Sequence, residues 1–119
     1  MREYSFAKKE SLKNNVSIKN VLDRGIPLRG RLINIYILKR PDGSDINRVA
    51  FAVRKHLYAK KLVLRNRLKR VLREAYRKTK RFLAGGHDVV ILAVNIKENI
   101  KSTVIEREIT DVFKKHSKK

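Results

Sequence analysis

Between Arg54 and Arg81 the chain carries 13 lysines or arginines and a single acid, Glu74, yet the same stretch repeats apolar side chains at helical spacing. Advancing about 100° per residue puts Leu64, Leu68, Val71, Leu72 and Ala75 within one sector roughly 100° wide. Such a helix buries one stripe and leaves its cations in solvent, so it packs on a sheet instead of standing alone. The pattern runs from about Leu62 to Phe82 and stops at Gly85-Gly86. Arg65, Asn66, Lys69, Arg70, Arg73 and Arg77 fill a sector beside the stripe. Arg67 lies beyond it, and Tyr76 falls on the border of the basic and apolar faces.

The remaining segments supply the sheet and two more helices. Leu32 to Leu38 alternates, sending Ile33, Ile35 and Ile37 to one face and Asn34 and Tyr36 to the other. Arg40-Pro41-Asp42-Gly43-Ser44-Asp45 has turn chemistry, and Arg48 to Arg54 alternates again, with Val49, Phe51 and Val53 on the core side. The natural reading is a hairpin between these two strands. Asp88 to Val94 is a continuous apolar run of the kind found in buried strands. Upstream, Asn15 is placed to cap a short helix carrying Ile18, Val21 and Leu22, with Gly25 suited to a left-handed position after its last turn. Pro27 and Gly30 punctuate a loop or short edge strand, and Ser102 to Lys115 forms a closing amphipathic helix. Residues 1–13 read as a flexible basic arm with Phe6 and Leu12 as anchors. The expectation is a single α+β domain over residues 1–119, with a mixed sheet of about four strands packed by three helices.

Charge and composition then exclude whole classes of function. With 31 Lys plus Arg against 11 Asp plus Glu, the net charge is +20, a strong self-repulsion that a polyanion relieves. A solubilising helix face normally mixes signs, and Glu74 alone does not offset its neighbours. Arginine dominates this face, and its planar donor fork suits phosphate oxygens and stacked bases. The chain lacks cysteine, and its three histidines are scattered, so a structural zinc site is not expected. Asp42 and Asp45 lack the remaining ligands of a calcium loop, and Gly85-Gly86 lacks the lysine and hydroxyl of a P-loop. The acids are spread too thinly for a two-metal nuclease site, so no catalytic residue is assigned. The opening MREYSFAKKE has no signal-peptide core, and no run approaches about 18 apolar residues. A cytoplasmic protein without membrane association is expected.

Arg65-Asn66-Arg67-Leu68-Lys69-Arg70-Val71-Leu72-Arg73-Glu74-Ala75-Tyr76-Arg77 resembles the signature helix of the bacterial ribonuclease P protein subunit. Arg48 to Val53, the Gly25 stop, Tyr36 and Gly86-His87-Asp88-Val89-Val90 extend the resemblance over most of the chain. The resemblance implies a four-stranded sheet with an unusual left-handed βαβ crossover carrying the motif helix. It further implies a non-catalytic component of a ribonucleoprotein endoribonuclease. The catalytic RNA, with magnesium at its own active site, removes the 5′ leader of precursor tRNA, and the protein binds that RNA and the leader without an obligate protein partner. The positions that match the family's leader cleft are Ile18, Leu22, Asn34, Tyr36, Ala52, Arg65, Asn66, Lys69 and Arg73. Arg67, Arg70 and Arg77 match its surface for the catalytic RNA.

Ile18 and Leu22 stand where family members often carry aromatic residues, which leaves base stacking to Tyr36. The connection from His56 to Leu62 lacks a usual glycine and is about two residues longer, with Tyr58 inside it. A ribosomal or other structural RNA-binding protein is the rival reading. A DNA-binding module is disfavoured, because no helix-turn-helix pair precedes the basic helix.

Overall fold

The computed structural model describes residues 10–53, 62–96 and 100–117; most of the basic arm, Arg54, His56 and Tyr58 lie outside the described residues. Helix α1 (Asn15–Arg24) leads into strands β1 (Ile26–Arg29), β2 (Ile33–Lys39) and β3 (Arg48–Val53). Helix α2 (Leu62–Thr79), strand β4 (His87–Ala93) and helix α3 (Ser102–Ser117) complete the fold. One sheet takes the order β1-β2-β4-β3. Its β1–β2 and β2–β4 pairs are antiparallel, and β3–β4 is parallel. The expected α+β class, with three helices on a four-stranded mixed sheet, is what the chain adopts.

The strand pairing corrects the expected hairpin. β2 and β3 are not neighbours, because β4 lies between them, and the tight antiparallel connection is the one joining β1 to β2. The Arg40 to Asn47 segment steps over the start of β4 instead of reversing beside β2. Arg40 and Asp42 form an ion pair at 2.6 Å, and the Ser44 N–H donates to the Asp42 carboxylate at 3.1 Å. Asn47 Oδ1 accepts from the His87 N–H at 2.8 Å, which ties the loop to the strand it crosses. Alternation reports which face a side chain takes, not which strand lies alongside. β4 takes an interior place because its apolar run Val89–Ala93 puts buried or half-buried side chains on both faces.

The main core lies on one face of the sheet. Ile33, Ile35, Ile37, Val49, Val89 and Ile91 meet Leu68, Leu72 and Ala75 of α2 and Ile105, Ile109 and Phe113 of α3. Tyr76 is not a border residue: it is 1% exposed, with its ring edge-on to Phe51 at 5.9 Å, and burial drives its hydroxyl pKa upward. α2 ends at Thr79, six residues before Gly85. The Thr79 hydroxyl donates back to the Ala75 carbonyl at 2.8 Å, and a 3-10 turn, Lys80–Phe82, follows. Back-bonding of this kind competes with helix continuation.

The opposite face carries a smaller cluster of Leu12, Val21, Ala50 and Val90, with Ile18, Tyr36 and Leu38 packed against it. Asn14, one residue earlier than expected, caps α1, its side chain accepting from the Val16 N–H at 2.8 Å. Gly25 is extended (φ −72°, ψ 162°), not left-handed. Glycine is needed there for a different reason: a Cβ would collide with the Val21 carbonyl oxygen and come within 3.1 Å of the Ile37 carbonyl. That close approach lets the chain pass directly from α1 into β1. The inner end of the segment read as an arm is docked. Ser11 bridges Val49, the Leu12 N–H donates to the Val49 carbonyl at 2.9 Å, and Glu10 pairs with Lys80 at 2.9 Å.

α3 holds the β1–β2 turn through one side chain. The Glu108 carboxylate accepts from the backbone N–H groups of Arg31 (2.8 Å), Leu32 (3.0 and 3.1 Å) and Ile33 (2.9 Å). Gly30 brings the turn this close, since a Cβ there would sit 2.9 Å from the carboxylate carbon.

Candidate nucleic-acid interface

α1 covers only part of the outer face. It seats Ile18 and Val21 over the row that contains Tyr36, Val90 and Ala50. The next row, one pleat further from α1, is Asn34 on β2, Leu92 on β4 and Ala52 on β3, which are register partners in turn. All three are half-buried and lie on the side of the sheet away from the main core. The shared face expected for Asn34, Tyr36 and Ala52 therefore exists, and it forms a floor with small residues toward β3. Leu92 belongs to the same floor. A continuous apolar run hides such a residue, because nothing in the pattern distinguishes its two faces.

The two first-helix positions are not equivalent. Ile18 is half-buried against the outer-face cluster, whereas Leu22, one turn on, remains 39% exposed beside it. Tyr36 is half-buried, packed on this cluster without being enclosed.

α2 supplies the cations. Its buried stripe fixes its rotation, so Arg65, Lys69 and Arg73 follow the flank that carries Tyr76, the side chain in contact with Phe51 of β3. Asn66 is exposed next to them. Arg67 and Arg70 lie on the opposite flank, where they line a shallow cavity with Val71, Glu74 and Ser102 at the start of α3. The geometry therefore separates the two sets of motif residues.

Charge compensation does not follow this division but falls at the end of the helix. Glu74 pairs with Arg77 at 2.6 Å and Lys78 at 3.5 Å, and the Arg77 guanidinium holds its carboxyl below the usual carboxylate range. Arg77 is thus partly neutralised within the helix. Arg65, Arg67, Lys69 and Arg70 have neither an ion pair nor a hydrogen bond among the described residues. Arg65 Nε is buried with no hydrogen-bond partner there, a donor that an incoming acceptor would satisfy. Arg48, also on the outer face, is engaged: it grips the buried Asp88 carboxylate through two bonds of 2.8 Å. Among the described residues no cluster of three or more His, Asp or Glu is placed to hold a metal ion. No helix among them is long and apolar enough to cross a membrane.

Fold and surface define a single α+β domain whose sheet keeps one half-open face, and the helix that crosses the other face carries Arg65, Arg67 and Arg70, which have no partner among the described residues. The Ribonuclease P family model matches residues 6–117. The ribonuclease P protein component of Clostridium acetobutylicum is 32% identical over 108 residues, 91% of this chain and 89% of its own length. That of Petrotoga mobilis is 38% identical over 94 residues, 77% and 75% of the two chains. The fold matches the RNase P proteins of Staphylococcus aureus and Thermotoga maritima. The former gives a TM-score of 0.72 at 22% identity over 90% of this chain and 94% of that one; the latter gives 0.75 at 21% over 89% and 96%. The chain belongs to the ribonuclease P protein family.

Proposed function

We propose that this chain is the RNA-binding, non-catalytic partner of a bacterial ribonuclease P RNA in removing the 5′ leader of precursor tRNA. The observation that carries the reading is the outer-face floor of Asn34, Ala52 and Leu92, half-open among the described residues, with Tyr36, Ile18 and Leu22 beside it. An unstructured strand suits this surface: a tyrosine ring stacks on a base, and Arg65, Asn66, Lys69 and Arg73 follow its backbone. Arg67 and Arg70, facing elsewhere, suit phosphates of the folded catalytic RNA, whose contacts fix orientation without reading sequence. Arg77 stands at the edge of that second surface with much of its charge met by Glu74. Magnesium belongs to the RNA active site, and this chain's contribution is to hold two polyanions together.

Reconstitution tests the reading. With a bacterial ribonuclease P RNA, the chain is expected to promote leader removal at magnesium concentrations where the RNA alone is slow, its cations replacing ions otherwise required. The RNA-free protein should cleave nothing. Magnesium-dependent cleavage by purified protein alone would reverse the assignment of chemistry to RNA.

The two surfaces make a separate prediction. Arg67→Ala or Arg70→Ala is expected to weaken assembly with the catalytic RNA and flatten its log–log salt dependence by about 0.7–0.9 per lost phosphate contact. Filter-binding titrations at several salt concentrations measure this, and an unchanged slope in both variants would remove them from that interface.

A further inference from the structure

The register of β1 adds a cation that the motif helix does not explain. Arg29 is the partner of Asn34, so the floor row continues across all four strands as Arg29, Asn34, Leu92 and Ala52. Alternation along β1 agrees, because Leu28 packs on the main core while Pro27 and Arg29 face the other way, Pro27 beside Tyr36. Arg29 is exposed and has no ion pair or hydrogen bond among the described residues. The nearby carboxylates do not claim it. Glu108 is occupied by three backbone N–H groups, and Asp111, which with Arg29 lines the groove where the β1 edge meets α3, forms no ion pair with it.

Three strand spacings of about 4.8 Å separate β1 from β3, so Arg29 stands about 14 Å from Ala52. The floor therefore has cations at both ends, Arg65 and its neighbours beyond β3 and Arg29 on β1. Between them are only half-buried neutral side chains, on which bases can lie. We infer that Arg29 is a second cationic rim of this cleft. It takes a phosphate of a single-stranded RNA that crosses the sheet from β3 to β1, at the end of its path farthest from α2. This rests on the outer face being the leader cleft, and it adds a direction and a minimum length to the bound strand.

The consequence is a dependence on leader length. Holoenzyme carrying Arg29→Ala is titrated with mature tRNA and with precursors whose leaders are lengthened one nucleotide at a time. Short leaders and mature tRNA should bind as to the unsubstituted protein. Beyond a threshold length, affinity should fall about five- to tenfold, as for one lost charge-assisted phosphate contact. The salt slope should then flatten by about 0.7. Arg29→Lys should recover much of the loss, and Arg29→Ala should leave the thermal midpoint unchanged because the residue is exposed.

An equal loss for mature tRNA, or a loss independent of leader length, would overturn the inference. Tyr36→Ala in the same series separates the two failures. If Tyr36→Ala abolishes leader discrimination and Arg29→Ala does nothing, the rim is wrong and the cleft stands. If neither variant distinguishes the substrates, the cleft reading itself fails.

Discussion

Glu108→Ala is expected to destabilise the protein by about 2–4 kcal/mol, since hydrogen bonds to a charged group are worth about 1.5–3 kcal/mol and this carboxylate accepts from three consecutive backbone N–H groups. The loss falls short of a simple sum because the turn is partly exposed and water replaces some of the bonds. Glu108→Gln keeps one acceptor oxygen and should cost less. Urea denaturation measures both, and amide exchange should accelerate first at Arg31, Leu32 and Ile33, the donors left without a partner. A change below about 0.5 kcal/mol in the alanine variant would mean that the turn holds itself. The prediction reaches beyond stability, because this turn sets the register of β1 on β2 and so the position of Arg29 beside Asn34.

Glu108 also marks a limit of what can be read from a sequence. Nothing distinguishes it from the other acids of an amphipathic helix, because its role depends on a turn 75 to 77 residues earlier. The apolar stripe of α2 and the alternation of β2 and β3 are local and are legible. They assign Leu68, Leu72 and Ala75 to the core and put Asn34, Tyr36 and Ala52 on one face. Tyr76 breaks the same rule because its ring finds Phe51, a long-range contact that a wheel drawn on one helix does not contain. Strand order is non-local in the same way. Two alternating strands joined by a turn-forming loop read as a hairpin, and only the stronger claim of His87–Ala93 to the centre of the sheet separates them.

The candidate site divides along that line. Residues whose placement follows from periodicity, such as Arg65, Lys69 and Arg73 on one flank of α2 and Arg67 on another, are visible in advance. Leu92 and Arg29 are not: Leu92 joins the floor only through pairing with strands distant in the chain, and Arg29 only because its segment, read as a loop or a short edge strand, pairs with β2. Arg48 makes the complementary point: an outer-face arginine that looks available for RNA is committed to Asp88.

Tyr36→Ala tests the central claim, because among the described residues Tyr36 is the aromatic side chain on the outer face beside that floor, and stacking a base on such a ring is worth about 1–3 kcal/mol. Its ring also packs against the outer-face cluster, so the alanine variant is compared with Tyr36→Phe, which keeps the stacking surface. The measurement is the affinity of each reconstituted holoenzyme for precursor and mature tRNA at fixed salt and magnesium. The expected result is a loss of about 1–3 kcal/mol for the precursor with Tyr36→Ala, near-wild-type binding with Tyr36→Phe, and almost no change for mature tRNA in either. An equal loss for both substrates would show that this face packs the fold or holds the catalytic RNA, and the outer face would no longer be the leader cleft.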